Sequence, residues 1–156
     1  MKLIVFVLYV GQYTTGDIRI MSSPIVSNLV FSLDGRASAL DESTAFLQII
    51  SFPKSHVWIW IGNRDGAQHN LSLAMGPRQS NQAGIEKVIS SYVLNSANPD
   101  EASVHGKGLA ERISKKLGGK PVYLSCNFST HSIDDQFLNI LEKQVMVYIK
   151  THPEIF

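Results

Sequence analysis

The sequence predicts an α+β domain in two layers: a mainly antiparallel sheet with two helices of the C-terminal half packed on one of its faces. Three observations carry that expectation. Apolar residues recur at the period of a strand in successive segments as far as Leu94. Helical spacing comes only later, around Leu109–Leu117 and Ile133–Ile149. One further alternating segment, Val122–Phe128, separates the two helices. Strands first and helices late is the order of an α+β domain.

The N-terminus opens with Lys2 and the apolar run Leu3–Val10. Such a run imitates a secretory signal at the lower limit of its length, and it falls far short of the about 20 residues that span a bilayer as a helix. It reads as a strand or as an extension upstream of Met21. Residues 1–24 are therefore set apart as a dispensable extension, and residues 25–156 are taken as one domain. Ile25–Leu33 alternates as a strand and ends in Asp34-Gly35, which has turn chemistry. Residues 44–52 fit helix or strand. Their β-branched and aromatic content favours the strand, and Pro53 closes it. His56–Ile61 is the clearest strand, with Gly62–Gly66 turning the chain after it. In Gln68–Met75, His69, Leu71, Leu73 and Met75 share one face, and this segment is expected to pair with His56–Ile61 as an antiparallel hairpin. Val88–Leu94 is expected to add another strand.

Leu109, Ile113 and Leu117 recur every four residues; Glu111 and Lys115 stand at ion-pair spacing, and Gly118-Gly119 stops the helix. Pro121 opens the next strand, whose apolar side carries Val122, Leu124, Cys126 and Phe128. Ser132 with Asp135 makes a capping-box-like start to the last helix. Its stripe runs through Ile133, Phe137, Ile140, Leu141, Val145, Tyr148 and Ile149 until Pro153 ends it.

Composition excludes several function classes. At 156 residues the chain can build a core without staples. Apolar residues are 44% and charged residues 17%, so disorder is excluded and some apolar surface is left for a partner. A net charge of +1 offers no electrostatic capture of nucleic acid or acidic lipid. The single cysteine, Cys126, cannot form an internal disulfide, which points to a reducing compartment, cytoplasm or nucleus.

No catalytic, cofactor or metal site is assembled by the motifs. Histidines 56, 69, 105, 131 and 152 lack metal-ligand spacing. Cys126, His131 and Asp134 or Asp135 contain the types of a thiol nucleophile, but Cys126 belongs to an apolar strand face, where cysteine is an inert small hydrophobe. Gly106-Lys107-Gly108 either holds an anion before the helix, the basis of an alternative reading as a small cytosolic enzyme using the 105–109 loop, or simply forms a flexible lead into the helix. Arg112, Lys115 and Lys116 form a basic helix face, either solvated or set against an acidic partner.

The strand His56–Ile61 makes the strongest functional demand. Val57, Ile59 and Ile61 lie on one of its faces, Trp58 and Trp60 on the other. Two helices cover one face of a sheet, so the opposite face needs a second cover: the N-terminal segment or another polypeptide. Val57, Trp58, Ile59, Trp60 and Ile61, with Tyr123 and either Val26 or Val30 on neighbouring strands, are therefore the candidate partner-interface residues.

The segments VWIWIG (57–62), LSLAMG (71–76) and GLAERISKKLGGKPVYLSCN (108–127), with the closing THPEIF (151–156), resemble the proteasome assembly chaperone 4 family. The resemblance covers residues 44–76 and 103–156; residues 77–102 match poorly. It implies a two-layer α+β fold and a heterodimer with a proteasome assembly chaperone 3-like subunit. That pair would help to build the α-subunit ring of the 20S core particle and leave before maturation, without enzymatic activity or cofactor.

Overall fold

The structure is a computed structural model that describes residues 2–6, 24–32, 44–52, 54–62, 70–76, 87–94, 102–128 and 135–156. Seven strands are formed: β1 (Lys2–Phe6), β2 (Ile25–Ser32), β3 (Thr44–Ser51), β4 (Val57–Gly62), β5 (Leu71–Met75), β6 (Ile89–Leu94) and β7 (Val122–Asn127). Helix α1 (Ala102–Lys116) precedes β7, and α2 (Asp135–Thr151) follows it, ending in a 3-10 turn at Pro153–Ile155. The α+β expectation holds, with the helices late in the chain.

The strands form one sheet in the order β1-β2-β3-β4-β7-β5-β6. Every pair is antiparallel except β4 with β7, which run parallel. This corrects the expected hairpin of β4 with β5, because β7 lies between them. Its register sets Val57 beside Val122 and Ile61 beside Cys126, while Leu71 lies beside Ser125 on its other side. β7, with Val122, Leu124, Ser125 and Cys126 all buried, needs a neighbour on each edge to satisfy its backbone groups. Inserting it between β4 and β5 supplies both edges. Alternation within two adjacent segments carries no information about a strand that arrives 50 residues later.

Residues in register share a face, so one side of the sheet is easily followed. Leu47 and Ile49 of β3, Val57, Ile59 and Ile61 of β4, and Val122 and Leu124 of β7 are all at most 1% exposed. Leu109, Ala110 and Ile113 of α1 and Phe137, Leu141, Val145, Tyr148 and Ile149 of α2 belong to the same core. Each large side chain buried there contributes roughly 1.5–3 kcal/mol. The helices are tied to each other by Arg112, whose guanidinium meets the Glu142 carboxylate at 2.5 and 2.6 Å. This bidentate pair engages the arginine of the expected basic face, leaving Lys115 and Lys116 exposed in the last turn of α1. Glu111 does not pair with Lys115; it accepts a hydrogen bond from the Ser90 hydroxyl on β6.

The end of α1 follows the sequence closely. Gly118 and Gly119 have φ of 67° and 84°, a left-handed conformation costly for other residues, and the Gly119 amide donates back to the Ser114 carbonyl at 2.8 Å. The start of α1 does not. Residues 105–109 lie inside the helix, so their amides are neither a loop nor the first turn, and the anion-holding loop is overturned. Gly106 is there for packing: a Cβ on it would lie 3.2 Å from the Cβ of Cys126, so glycine lets α1 approach β7. At the N-terminus, Lys2–Phe6 pairs edge-on with β2, from Lys2 beside Ser32 to Phe6 beside Asn28, and so extends the sheet rather than covering it.

Candidate protein-interaction face

Opposite the helices the sheet has a second face on which the described elements place no cover. Reading across the strands in register, Val26 on β2 neighbours Ile50 on β3, then Trp58, Tyr123 and Leu73. The next row runs Asn28, Gln48, Trp60, Ser125 and Leu71; beyond it lie Val30, Phe46, Gly62 and Asn127.

Aromatic rings organise the middle of this face. Trp58 stacks on Tyr123 with centroids 4.9 Å apart and planes 15° apart. His56 meets the edge of Tyr123 at 5.7 Å and stacks on Phe52 at 4.3 Å. These contacts hold Trp58 and Tyr123 in fixed poses, which lowers the entropy that a partner must remove on binding. Trp58, Trp60 and Tyr123 remain half-buried in the isolated chain.

The face continues to the β6 edge. Met75 of β5 is 40% exposed, and its register partner Ile89 of β6 is 68% exposed. Leu94, opposite Leu71, is 49% exposed on the same side. An irregularity in the β5–β6 register between Leu71 and Ser72 leaves Val93, also exposed, without a register partner on β5. Ser90 and Tyr92 turn the other way, toward Glu111 and Lys107 of α1. Most of the large exposed hydrophobics among the described residues thus extend one surface, as a docking face does and scattered surface leucines do not.

The structure divides the sequence-derived candidates. Val57, Ile59 and Ile61 lie in the helix-covered core and present nothing to a partner. Trp58, Trp60 and Tyr123 lie together on the uncovered face, with both Val26 and Val30. Leu73, Met75, Ile89 and Leu94 join them and were not anticipated. The alternation of LSLAM showed that Leu71, Leu73 and Met75 share a face, but which face depends on their pairing with β7. In β6 the register irregularity breaks the alternation that would have flagged Ile89 and Leu94 together.

Chemistry is sparse elsewhere. Cys126 is 4% exposed, and burial pushes its thiol up to about 12, which removes the thiolate that a nucleophile needs. His131 and Asp134 lie outside the described residues, as do His69 and the side chain of His105. A cavity of about 30 Å³ between the helices, lined by Ile61, Leu109, Cys126 and Leu141 among others, has room for about one water. Among the described residues no three His, Cys, Asp or Glu side chains gather to hold a metal, and no described helix is long and apolar enough to cross a membrane.

Comparison with known proteins identifies a family and a similar fold. The family model for proteasome assembly chaperone 4 matches residues 44–128. A crystal structure of a chaperone complex for yeast 20S proteasome assembly contains a similar chain. It superposes with a TM-score of 0.55 at 14% identity, covering 84% of this chain and 98% of that one. No curated protein sequence matches.

Proposed function

The chain belongs to the proteasome assembly chaperone 4 family, and we propose that it acts as one half of a chaperone heterodimer, using the helix-free sheet face to pair with a proteasome assembly chaperone 3-like subunit. A role as a proteasome assembly chaperone follows from the family itself. The finer steps belong to the proposal: the pair supports formation of the α-subunit ring of the 20S core particle, in the cytoplasm or nucleus, and is released before the particle matures. A protein that works this way needs a binding surface, and no cofactor or catalytic group.

The observation that carries this reading is the uncovered apolar face. Trp58, Trp60 and Tyr123 form its half-buried centre, and Met75, Ile89 and Leu94 its exposed flank. Water against such a surface is a standing cost of roughly 25 cal/mol per Å² of apolar area, which a second sheet laid on it removes. Aromatic residues at the centre of an interface are frequent hot spots, and truncating one costs about 2 kcal/mol or more.

The test separates the two faces of one strand. A Trp58→Ser, Trp60→Ser variant is mixed with the chaperone 3-type subunit of the same organism, and an Ile59→Ser variant is measured beside it. The tryptophan variant should keep its circular dichroism and lose the heterodimer on gel filtration, whereas Ile59→Ser should unfold. Retention of the heterodimer by a folded tryptophan variant would place the interface elsewhere.

A further inference from the structure

Polar pairs interrupt this face at two places: the Asn127 amide donates to the Ser125 hydroxyl, which is buried, and a second pair lies open to solvent. Gln48 on β3 and Asn28 on β2 are register partners, and the Gln48 side-chain amide donates to the Asn28 side-chain oxygen at 2.9 Å. They stand in the row that continues into Trp60, next to the aromatic centre. From β2 to β6 in sheet order, the in-register residues of this face include no Asp, Glu, Lys or Arg.

A side-chain amide has two donor hydrogens and an oxygen with two lone pairs, so the mutual bond leaves the Gln48 oxygen and the Asn28 amide hydrogens with capacity to spare. In the isolated chain water meets that capacity, since Gln48 is exposed and Asn28 half-buried. When a partner covers the face, the water leaves. Each group then left unpaired carries its full desolvation penalty, whereas a matched donor or acceptor restores the bond.

We propose that the Asn28–Gln48 amide pair is the specificity determinant of this face: it selects a partner sheet that is uncharged and places a hydrogen-bonding side chain, an amide or a hydroxyl, opposite the pair. This rests on the proposed pairing through the helix-free face. The lack of charge around the pair identifies the occupant. A charged or nucleic-acid partner would find no counter-charge here and would have to desolvate its own charges against tryptophan and leucine. The aromatic row supplies affinity that any flat apolar sheet could exploit, including a second copy of this chain. The amide pair discriminates, because a wholly apolar surface laid over it strands polar groups.

The experiment uses the full chain and the chaperone 3-type subunit as the probe. Wild type, an Asn28→Leu, Gln48→Leu variant and a Trp58→Ser variant are compared by calorimetric titration with that subunit, and each alone by analytical ultracentrifugation. The leucine variant should stay folded, since neither amide is in the core. It should bind the subunit about 10- to 100-fold more weakly, because the partner's polar group is now unpaired. It should also self-associate at concentrations where wild type does not. Loss of folding alone would produce the first change without the second. Wild-type affinity with no added self-association in the leucine variant would overturn the proposal while leaving the pairing intact. Undiminished binding by Trp58→Ser would overturn the pairing and this proposal together.

Discussion

The indole of Trp60 lies across Gly62. A Cβ added to Gly62 would sit 2.6 Å from the Trp60 Cζ2 atom, 2.8 Å from Cη2 and 2.7 Å from the Asn127 backbone oxygen. The two residues stand on the same face of β4, so the missing side chain of one makes room for the ring of the other. Gly62→Ala is therefore expected to push the indole off the face and to crowd β7. A loss of about 1–3 kcal/mol, the usual cost of overpacking, should appear as a lower melting temperature with a shifted tryptophan emission maximum. An alanine variant that matches wild type in both would mean that the ring has another resting place.

Cys126 is a packing residue, and its thiol reports on that. Burial raises it from its ordinary 9.0 to about 12. The folded state thus holds its proton where the unfolded chain begins to release it. The resulting contribution to stability is fully present below pH 9 and is lost as pH climbs through the folded value near 12. Native protein at neutral pH should resist a thiol reagent that labels the urea-unfolded chain at once. Cys126→Ala should cost about 1–2 kcal/mol, with partner binding retained in the folded fraction. Rapid labelling of the native protein would show that the strand face opens.

Two serines in the core invite substitution. Ser27 and Ser51 are 0% exposed on the helix-covered side, and among the described residues neither hydroxyl has a hydrogen-bond partner. A buried polar group without a partner costs about 1–3 kcal/mol of desolvation. Ser27→Ala and Ser51→Ala should leave the melting temperature unchanged or raise it. A clear fall in either would reveal a hydrogen bond supplied by bound water.

The N-terminal strand forms one edge of the sheet. β1 pairs with β2 along Lys2–Phe6 and has a neighbour on that side only. Protein started at Met21 should therefore fold, with its melting temperature lowered by only a few degrees and heterodimer formation kept. Its newly unpaired β2 edge should make it more prone to aggregate at high concentration, as open edges are. Collapse of the circular dichroism spectrum would show β1 to be integral to the domain.

Most of what could be recognised in the sequence was local. Alternation placed β2 and β7 to within a residue or two, β-branched and aromatic content placed β3, and the i, i+4 rows of Leu109–Leu117 and Ile133–Ile149 located both helices, though not the start of α1. These periods arise from the geometry of a single segment, so a single segment reveals them. The need of β4 for cover on both faces was legible for the same reason, since VWIWI is apolar on each side.

Sheet order and the identity of each face were settled by tertiary structure. Gly106-Lys107-Gly108 has the composition of a loop, but burying Leu109, Ala110 and Ile113 against β7 and β5 draws the whole stretch into α1. The period of β4 already groups Val57 with Ile59 and Ile61, and Trp58 with Trp60. That the first set meets the helices and the second faces outward is a matter of long-range packing. The reason is that β7, against which α1 packs, joins the sheet between β4 and β5 through contacts that no local period encodes.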